Sequence, residues 1–581
     1  MAMRITTKMM QNTSIRNLNV NKQRQEQLTN QMATGKKITR PSDDPVTAIR
    51  ALKLNASLDK IDQYYERNSK DARSWLDLTD KAIDTVANIL GGDDGMRALI
   101  TQAISEYNEK KDISAIVKDL VSLAEEVYSV GNADSAGRTL FTGYRTDLPL
   151  AFIADKTEQY KITEQFTNLD LDKMTYVGTG CLKELNDGNF NSKDQATNDY
   201  LMNTTEYDVT TNEIYRFRLA YKNTDVVKEK MVEKIDPATG RPEIGPDGKP
   251  VMEVAKDPNT GQTIYEPNIK FEFGDFDKKN GTTIYSINPV YDDSVTPPQQ
   301  IPTKDIKFFE SGTEEAYMTV VNDPDAVVYI ASTGELLLGS NVKQTVSELT
   351  HDTEIRISYE KTNWKKNDLD PIHYFYTERK HEIQDRWLEY NKNFLEDPTA
   401  SGKQIIEYDI GNNQTIRVNT TADELFTHDI GRDIEELNRM VDDASTIEAN
   451  LGVISDLIDS GKYEGDDLKQ LELEKAALEK AKTYTRDKVT ARLKELLTVF
   501  DGYIENVSTA TTNCGSRGSR LTLIQNRLGT QQTNYKELVS ENEDADYAEL
   551  TVQLGSVKMT YEAALSSISY VMQTSLLDYI R

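Results

Sequence analysis

With 581 residues the chain exceeds what one hydrophobic core organises, and three or four domains are expected. A formal net charge of −28 sets most of its surface against nucleic acid, and no run of about 18 apolar residues offers a membrane-spanning helix. Apolar residues make up 37% of the chain and mean hydropathy is −0.61, polar for a globular enzyme and common for long helical rods.

The N-terminal residues Met1 to Met10 lack an apolar core and a small-residue cleavage site, so no cleaved secretory signal is expected. Residues 1–50 carry nine Lys or Arg against three acids. That excess reads either as a solvated helix face or as attraction towards an acidic neighbour. From Met9 to Met32 the sequence is rich in Gln and Asn. Leu18, Asn21, Gln25, Leu28 and Met32 nevertheless fall alternately three and four apart. Such a half-polar seam is marginal for an isolated helix and calls for a partner. Gly35 stops it.

A second helix is expected from Pro45, with Asp44 as its cap and the proline at its first position. Its seam runs without a slip through Leu58, Ile61, Tyr65, Asn68, Ala72, Trp75, Thr79, Ala82, Val86 and Ile89. The Gly91–Gly95 stretch breaks it, and a third helix follows with Ile113, Ile116, Leu120, Leu123, Val127 and Val130 in phase.

Around Leu140 the period changes. Residues 150–425 are rich in Tyr, Thr, Val and Ile, with turns expected at Asp236–Gly240, Pro246–Gly248 and Asp257–Gly261. Alternation marks Ile355–Tyr359 and Thr415–Asn419 as strands, and a short helix is expected near Glu382–Asn393. Helix returns after Gly431 with Ile434, Leu437, Val441 and Ile447. A long helix is expected from about Asp466 to about Thr512, carrying Val489, Leu493, Leu496, Phe500, Tyr503 and Val507. Leu521, Ile524, Leu528, Gln531, Tyr535 and Leu538 repeat the seam, and the acidic stretch Glu541–Asp546 interrupts it. The last helix carries Leu554, Val557, Tyr561, Ala564, Ile568 and Val571.

The fold expected is therefore mainly α at both termini, in long antiparallel coiled-coil helices, with an inserted β-rich central region. Three domains follow: 1–44 with 535–581 as a terminal coiled-coil assembly domain, 45–149 with 426–534 as a helical rod, and 150–425 as the inserted surface domain. The outermost seams offer the candidate assembly residues Leu18, Leu28, Met32, Leu554, Val557, Tyr561, Ile568, Val571, Leu576 and Leu577. Because these seams are half polar, the ends are expected to order only on a partner.

Catalytic patterns are weak. His381-Glu-Ile-Gln-Asp385 has the first His and the Glu of a zincin helix but Asp where the second imidazole belongs. Asp275–Gly281 has the look of a calcium loop with its glycine one place late and Ser286 at the twelfth position. Cys181 and Cys514 stand far apart outside any ligand spacing. No phosphate-binding glycine loop or nucleophile elbow is present. No enzyme activity, cofactor or metal is expected.

Met32–Ala51, with Pro41, Ser42, Asp43, Asp44 and Pro45, resembles the N-terminal signature of the flagellin superfamily, in the form found in its hook–filament junction branch. Gly137–Asp147, with Phe141, Gly143, Tyr144 and Asp147, resembles the segment that closes the N-terminal helical part in that family. Glu543–Glu549 and Met572–Arg581 agree, although Thr574 stands where the family often has Pro. The likeness covers roughly 150 residues at each end and leaves 150–425 without a counterpart. It implies a flagellin-like fold and a structural, non-enzymatic subunit in the extracellular bacterial flagellum, exported without a cleaved signal. The implied partners are hook-associated protein 1, flagellin, copies of itself in a ring, a flagellar export chaperone and the type III export apparatus. A divergent filament flagellin, or a flagellin-like carrier whose insertion binds a ligand such as glycan, stays open beside the junction subunit.

Overall fold

The structure is a computed structural model. It describes residues 7–577 except 43, 109–111, 179–204, several short stretches between 226 and 303, 350–353, 382–385 and 397–403. The chain divides into two compact units, one made of Met1–Ser74, Glu407–Arg417 and Arg517–Arg581, the other of Trp75–Ile406 and Val418–Ser516.

In the first unit α1 (Thr7–Thr34) ends at Gly35, and α2 (Pro45–Asp62) begins under the Asp44 cap with Pro45 in its first turn, as the sequence predicts. The next helix is not the uninterrupted rod expected. A π-helical turn, Gln63–Asn68, separates α2 from α3 (Ser69–Gly91). The wider turn leaves the apolar spacing of the seam intact, which hides it from periodicity. It places the Tyr65 ring 3.5 Å from where a side chain at Gly529 would start.

α2 and the start of α3 run antiparallel to the C-terminal half of the long helix described below, along a ladder of polar contacts. Asn542 Nδ2 donates to the Thr47 carbonyl at 3.2 Å, and Gln532 Nε2 to Asp62 Oδ1 at 2.7 Å. Gln525 Nε2 donates to the Ser69 carbonyl at 3.1 Å, and Arg73 to Thr522 Oγ1 at 2.9 Å. A hairpin of Glu407–Gly411 and Gln414–Arg417 packs on the π-helical turn, where Asn68 Nδ2 donates to the Asp409 carbonyl at 2.7 Å.

In the second unit the Gly91–Gly95 break is followed by two helices rather than one, α4 (Met96–Asn108) and α5 (Ser114–Val130). The insertion forms two main sheets. One has six antiparallel strands in the order 283–286, 269–274, 354–364, 156–166, 376–381, 386–390. The other has five, in the order 307–309, 327–330, 335–338, 210–218, 172–178, with only the first pair parallel. Phe217, Tyr329, Leu336 and Leu338 of the smaller sheet share one buried cluster with Tyr160, Phe271, Ile355, Ile357 and Tyr359 of the larger. The alternation read in Ile355–Tyr359 is thus the core-facing side of a strand. The far side of the five-stranded sheet is covered by α6 (Glu314–Asn322), whose Ala316, Tyr317 and Val320 pack on Tyr176, Ile214 and Val328.

Short α-helices lie at α6 and α7 (Ser340–Ser347); within the expected stretch Glu382–Asn393, residues 382–385 are outside the described ones, Arg386–Tyr390 is a strand, and a 3-10 turn, Lys392–Leu395, begins at its end. Leu388 and Tyr390, at alternate positions of that strand, are its half-buried residues. The three expected turns between 236 and 261 and the Asp275–Gly281 loop lie outside the described residues.

Helix returns three residues before Gly431 was expected to admit it, as α8 (His428–Asp459). Gly431 sits inside this helix because a Cβ there would stand 2.9 Å from the Tyr128 ring, and its N–H donates to Tyr128 Oη at 2.8 Å. α9 (Asp466–Glu543) is one helix of 78 residues that does not stop at Thr512. Gly515 and Gly518 suggest an end, but Leu521, Ile524 and Leu528 remain buried beyond them. The acidic break survives as a short non-helical link before α10 (Tyr547–Leu577).

Candidate assembly surface

α1 and α10 pack on each other, and seam residues are among those withdrawn from solvent. Leu28 is 5% exposed, and Leu18, Met32, Leu554, Val557, Tyr561 and Ile568 are half-buried. The side chains of Val571, Leu576 and Leu577 lie outside the described ones. The partner that the half-polar seam calls for is thus found within the same chain.

A second set of apolar side chains is left uncovered on these helices, and no seam contains it. Val46 is 77% exposed and Leu52 68%, with Ile49 between them on α2. On α10 Val552 is 73% and Met559 69% exposed, and on α1 Ile15 and Val20 face solvent. The signal that could have marked them is their spacing off the seam: Val46, Ile49 and Leu52 make a three-residue stride of their own. Scattered apolar residues are ordinary on a surface; rows of them along helices are not.

The family-type motif around Pro45 is a capping device. Asp44 Oδ1 accepts from the Val46 and Thr47 amides at 3.0 and 3.3 Å, and Oδ2 accepts from Thr47 Oγ1 at 2.6 Å. The Thr47 hydroxyl and these amides hold its carboxyl below the usual carboxylate range. Pro41 and Ser42 form an exposed turn before it, and Asp43 lies outside the described residues. In the second motif Phe141 is 1% exposed and meets the Phe426 ring edge-on at 4.9 Å. Gly143 has φ +60°, and a Cβ there would strike Gln404 Oε1, which accepts from the Tyr144 amide at 3.1 Å. Tyr144 and Asp147 are exposed.

Sequence reasoning missed a buried ion network in the second unit. Arg216, fully buried on strand 210–218, donates to Glu335 Oε1 and Glu436 Oε1 at 2.6 Å each and pairs with Asp172 Oδ2 at 2.8 Å. Arg218 and Arg492 both reach Asp433 and Glu436. Tyr317 Oη donates to Glu335 at 2.8 Å and Tyr503 Oη to Asp433 at 2.7 Å. Burial pushes the Glu436 carboxyl up, but Arg216, Arg492 and Arg218 outweigh it and hold the group far below the usual range. A cleft of about 740 Å³ opens beside this network, lined by Tyr176, Arg216, Tyr317, Arg439, Asp443 and Lys488 among others. Its members come from six elements spread along the chain, so no local spacing announces it.

His373 and His428 are buried, and burial drives them down to about 4 and about 3. His381 ends a strand, and residues 382–385 of the zincin-like stretch are outside the described ones. Among the described residues no group of three or more His, Cys, Asp or Glu could hold a metal ion, and no helix is long and apolar enough to cross a membrane.

The family model for the bacterial flagellin N-terminal helical region matches residues 5–146, and that for the bacterial flagellin C-terminal helical region matches 497–580. Flagellar hook-associated protein 3 of Salmonella typhimurium is 27% identical over 157 residues, 25% of this chain and 45% of that protein. A flagellin of Clostridium tyrobutyricum is 26% identical over 156 residues, 27% of this chain and 40% of the relative. The chain thus spans less than half the length of these curated relatives. Among solved structures, the flagellar junction protein FlgL from Legionella pneumophila aligns over 81% of this chain and 99% of its own, at 9% identity and a TM-score of 0.23, too loose an overlay to add to the argument.

Proposed function

We propose that the chain is a structural subunit of the bacterial flagellum that joins hook to filament, and that it polymerises through the helices at its two ends. The observation that carries this reading is the pairing of two matches: flagellin N-terminal and C-terminal helical regions occur at the corresponding ends of one chain. Helices that have covered their seams on each other and still present Val46, Ile49, Leu52, Val552 and Met559 to solvent are suited to a further layer of association.

In this reading residues 1–44 with 535–581 are the assembly domain, 45–149 with 426–534 the rod, and 150–425 a domain displayed on the outside. The seam residues Leu18, Leu28, Met32, Leu554, Val557, Tyr561, Ile568, Val571, Leu576 and Leu577 build the element that assembles, and the uncovered row meets the neighbour. Those neighbours are hook-associated protein 1, flagellin and copies of the chain in a ring. An export chaperone and the type III apparatus handle it before assembly, and the assembled protein lies outside the cell. Its work is mechanical: no bond is made or broken, and no cofactor is needed.

Immunogold labelling of intact flagella tests this. A short band of label at the hook end, with few copies per flagellum, supports the junction role. Label along the whole filament overturns it in favour of a filament flagellin. Ligand binding by the insertion is a second reading, favoured by the cleft beside Arg216. Saturable glycan binding by the full chain, lost on Tyr317→Ala, supports it.

A further inference from the structure

The cleft of about 740 Å³ beside Arg216 has a spent ionic core and a set of polar groups that are not spent. In the core Arg216 pairs with Glu335 and Glu436, and Tyr317 Oη donates to Glu335. Thr333, in the same lining, is 8% exposed, and its hydroxyl has no hydrogen-bond partner. Lys488, half-buried on α9, and Asp443, on α8, line the cleft as well. Burial lowers the Lys488 ammonium from its ordinary value, and the Asp443 charge works against that shift. Yet among the described residues neither side chain makes an ion pair or a hydrogen bond.

α6 opens on the same space, and Thr313, its N-cap, makes no side-chain cap bond. Tyr176 stacks on Tyr317 at 4.4 Å and 17°, giving the lining an apolar wall. A second cleft, of about 360 Å³, shares Arg216, Glu436 and Lys488 with the first and follows α9 from Tyr484 to Glu495.

An ammonium and a carboxylate that share a cleft without meeting leave a gap for a group that accepts from one and donates to the other. A hydroxyl does both. A carboxylate, a phosphate or an ammonium does one and faces like charge on the other side. The Thr333 hydroxyl and the uncapped start of α6 add further places for hydroxyls to bond. Aromatic walls with a few placed polar groups are the usual make-up of a small-molecule site, and two joined clefts give length for more than one ring.

We infer that the joined clefts bind an uncharged oligosaccharide, with Lys488 and Asp443 sharing one of its hydroxyls. This rests on the ligand-binding reading of the insertion and gives it a class of ligand and a second wall. α8 and α9 lie outside residues 150–425, so the sugar bridges the insertion and the helices it stands on.

Isothermal titration calorimetry on the full-length chain tests it. Maltotriose, cellotriose, mannotriose and chitotriose are the neutral probes; sialyllactose, spermidine and trialanine are the charged ones. At least one neutral probe should bind saturably, and every charged probe at least about tenfold more weakly. Lys488→Met and Asp443→Asn should each weaken the neutral probe about tenfold, and Lys494→Met, exposed on the same helix, should leave it unchanged. Tighter binding of a charged probe overturns the saccharide class and keeps a ligand-binding insertion. Absence of binding by every probe overturns both. Neutral binding that neither variant weakens overturns the site. Should a variant fail to fold, hydrogen exchange on the wild type decides: the sugar should slow exchange in 172–178, 314–322 and 484–495, and slowing only elsewhere overturns the site.

Discussion

Burial pushes the carboxyls of Glu164 and Asp370 up to about 7. Glu164 accepts from the Ala220 amide at 3.0 Å and from Tyr359, and both contacts favour its charged form without overcoming the loss of water. The unfolded carboxyl ionises near 4.5. Between that value and about 7 the folded chain binds the extra proton, so this group removes stability as pH rises through the window. Glu164→Gln keeps the shape and abolishes the titration. Its stability relative to wild type should climb by up to about 3 kcal/mol between pH 4.5 and 7, read by urea unfolding. His373 and His428 act on the acid side: their folded values lie below 6.5, so stability falls as pH drops from 6.5 towards about 4.

Arg216 gives the sharper single-residue test. Replacing it with Met leaves Glu335 and Glu436 buried beside each other, with Arg439 still on Glu335 and Arg218 and Arg492 still on Glu436. Removal of one partner from a buried pair costs about 3–5 kcal/mol. Arg216→Met should lose about that much at pH 7 and recover part of it in acid, as the orphaned carboxylates protonate. An equal loss at pH 5 and pH 7 would mean that packing rather than charge is at stake.

At the scale of elements, Gly431 distinguishes a helix breaker from a packing residue. Gly431→Ala raises helix propensity but drives a methyl into the Tyr128 ring, and the clash should win by about 1–3 kcal/mol. A stabilised Gly431→Ala in thermal unfolding would show that the ring gives way. The three-four spacing reveals most of the helices because burial follows it: Ala72, Trp75, Thr79, Ala82, Val86 and Ile89 are all buried. The same spacing is blind to the turn at Gln63–Asn68, which keeps the apolar residues in phase while adding width. It is blind to the continuity of α9 as well, since glycines that end a helix and glycines inside one look alike until a neighbour is known. The capping of α2 was legible residue by residue, because Asp44 and Pro45 act locally. The Arg216 network was not, because acids are abundant and its members come together only through the fold.

For the whole molecule, the proposed assembly role gives the seams and the uncovered row separate tests. Val552→Asp with Met559→Asp should leave the melting curve of the monomer in place and abolish polymers seen by electron microscopy. Leu554→Asp should block polymers too, but by loosening α1 against α10, which circular dichroism at the chain ends would detect. If the Val552 and Met559 double variant still polymerised normally, the row would have no part in association.

The first compact unit is assembled from the beginning of the chain, a hairpin late in the insertion, and the end of the chain. A ribosome adds about 5–20 residues per second, so roughly half a minute to two minutes separate the emergence of α1 from that of α10. Throughout that interval the first helix has no mate. The order of the chain therefore acts as a timer: until its last helix has been made, the seam of α1 stays open to whatever else can cover it.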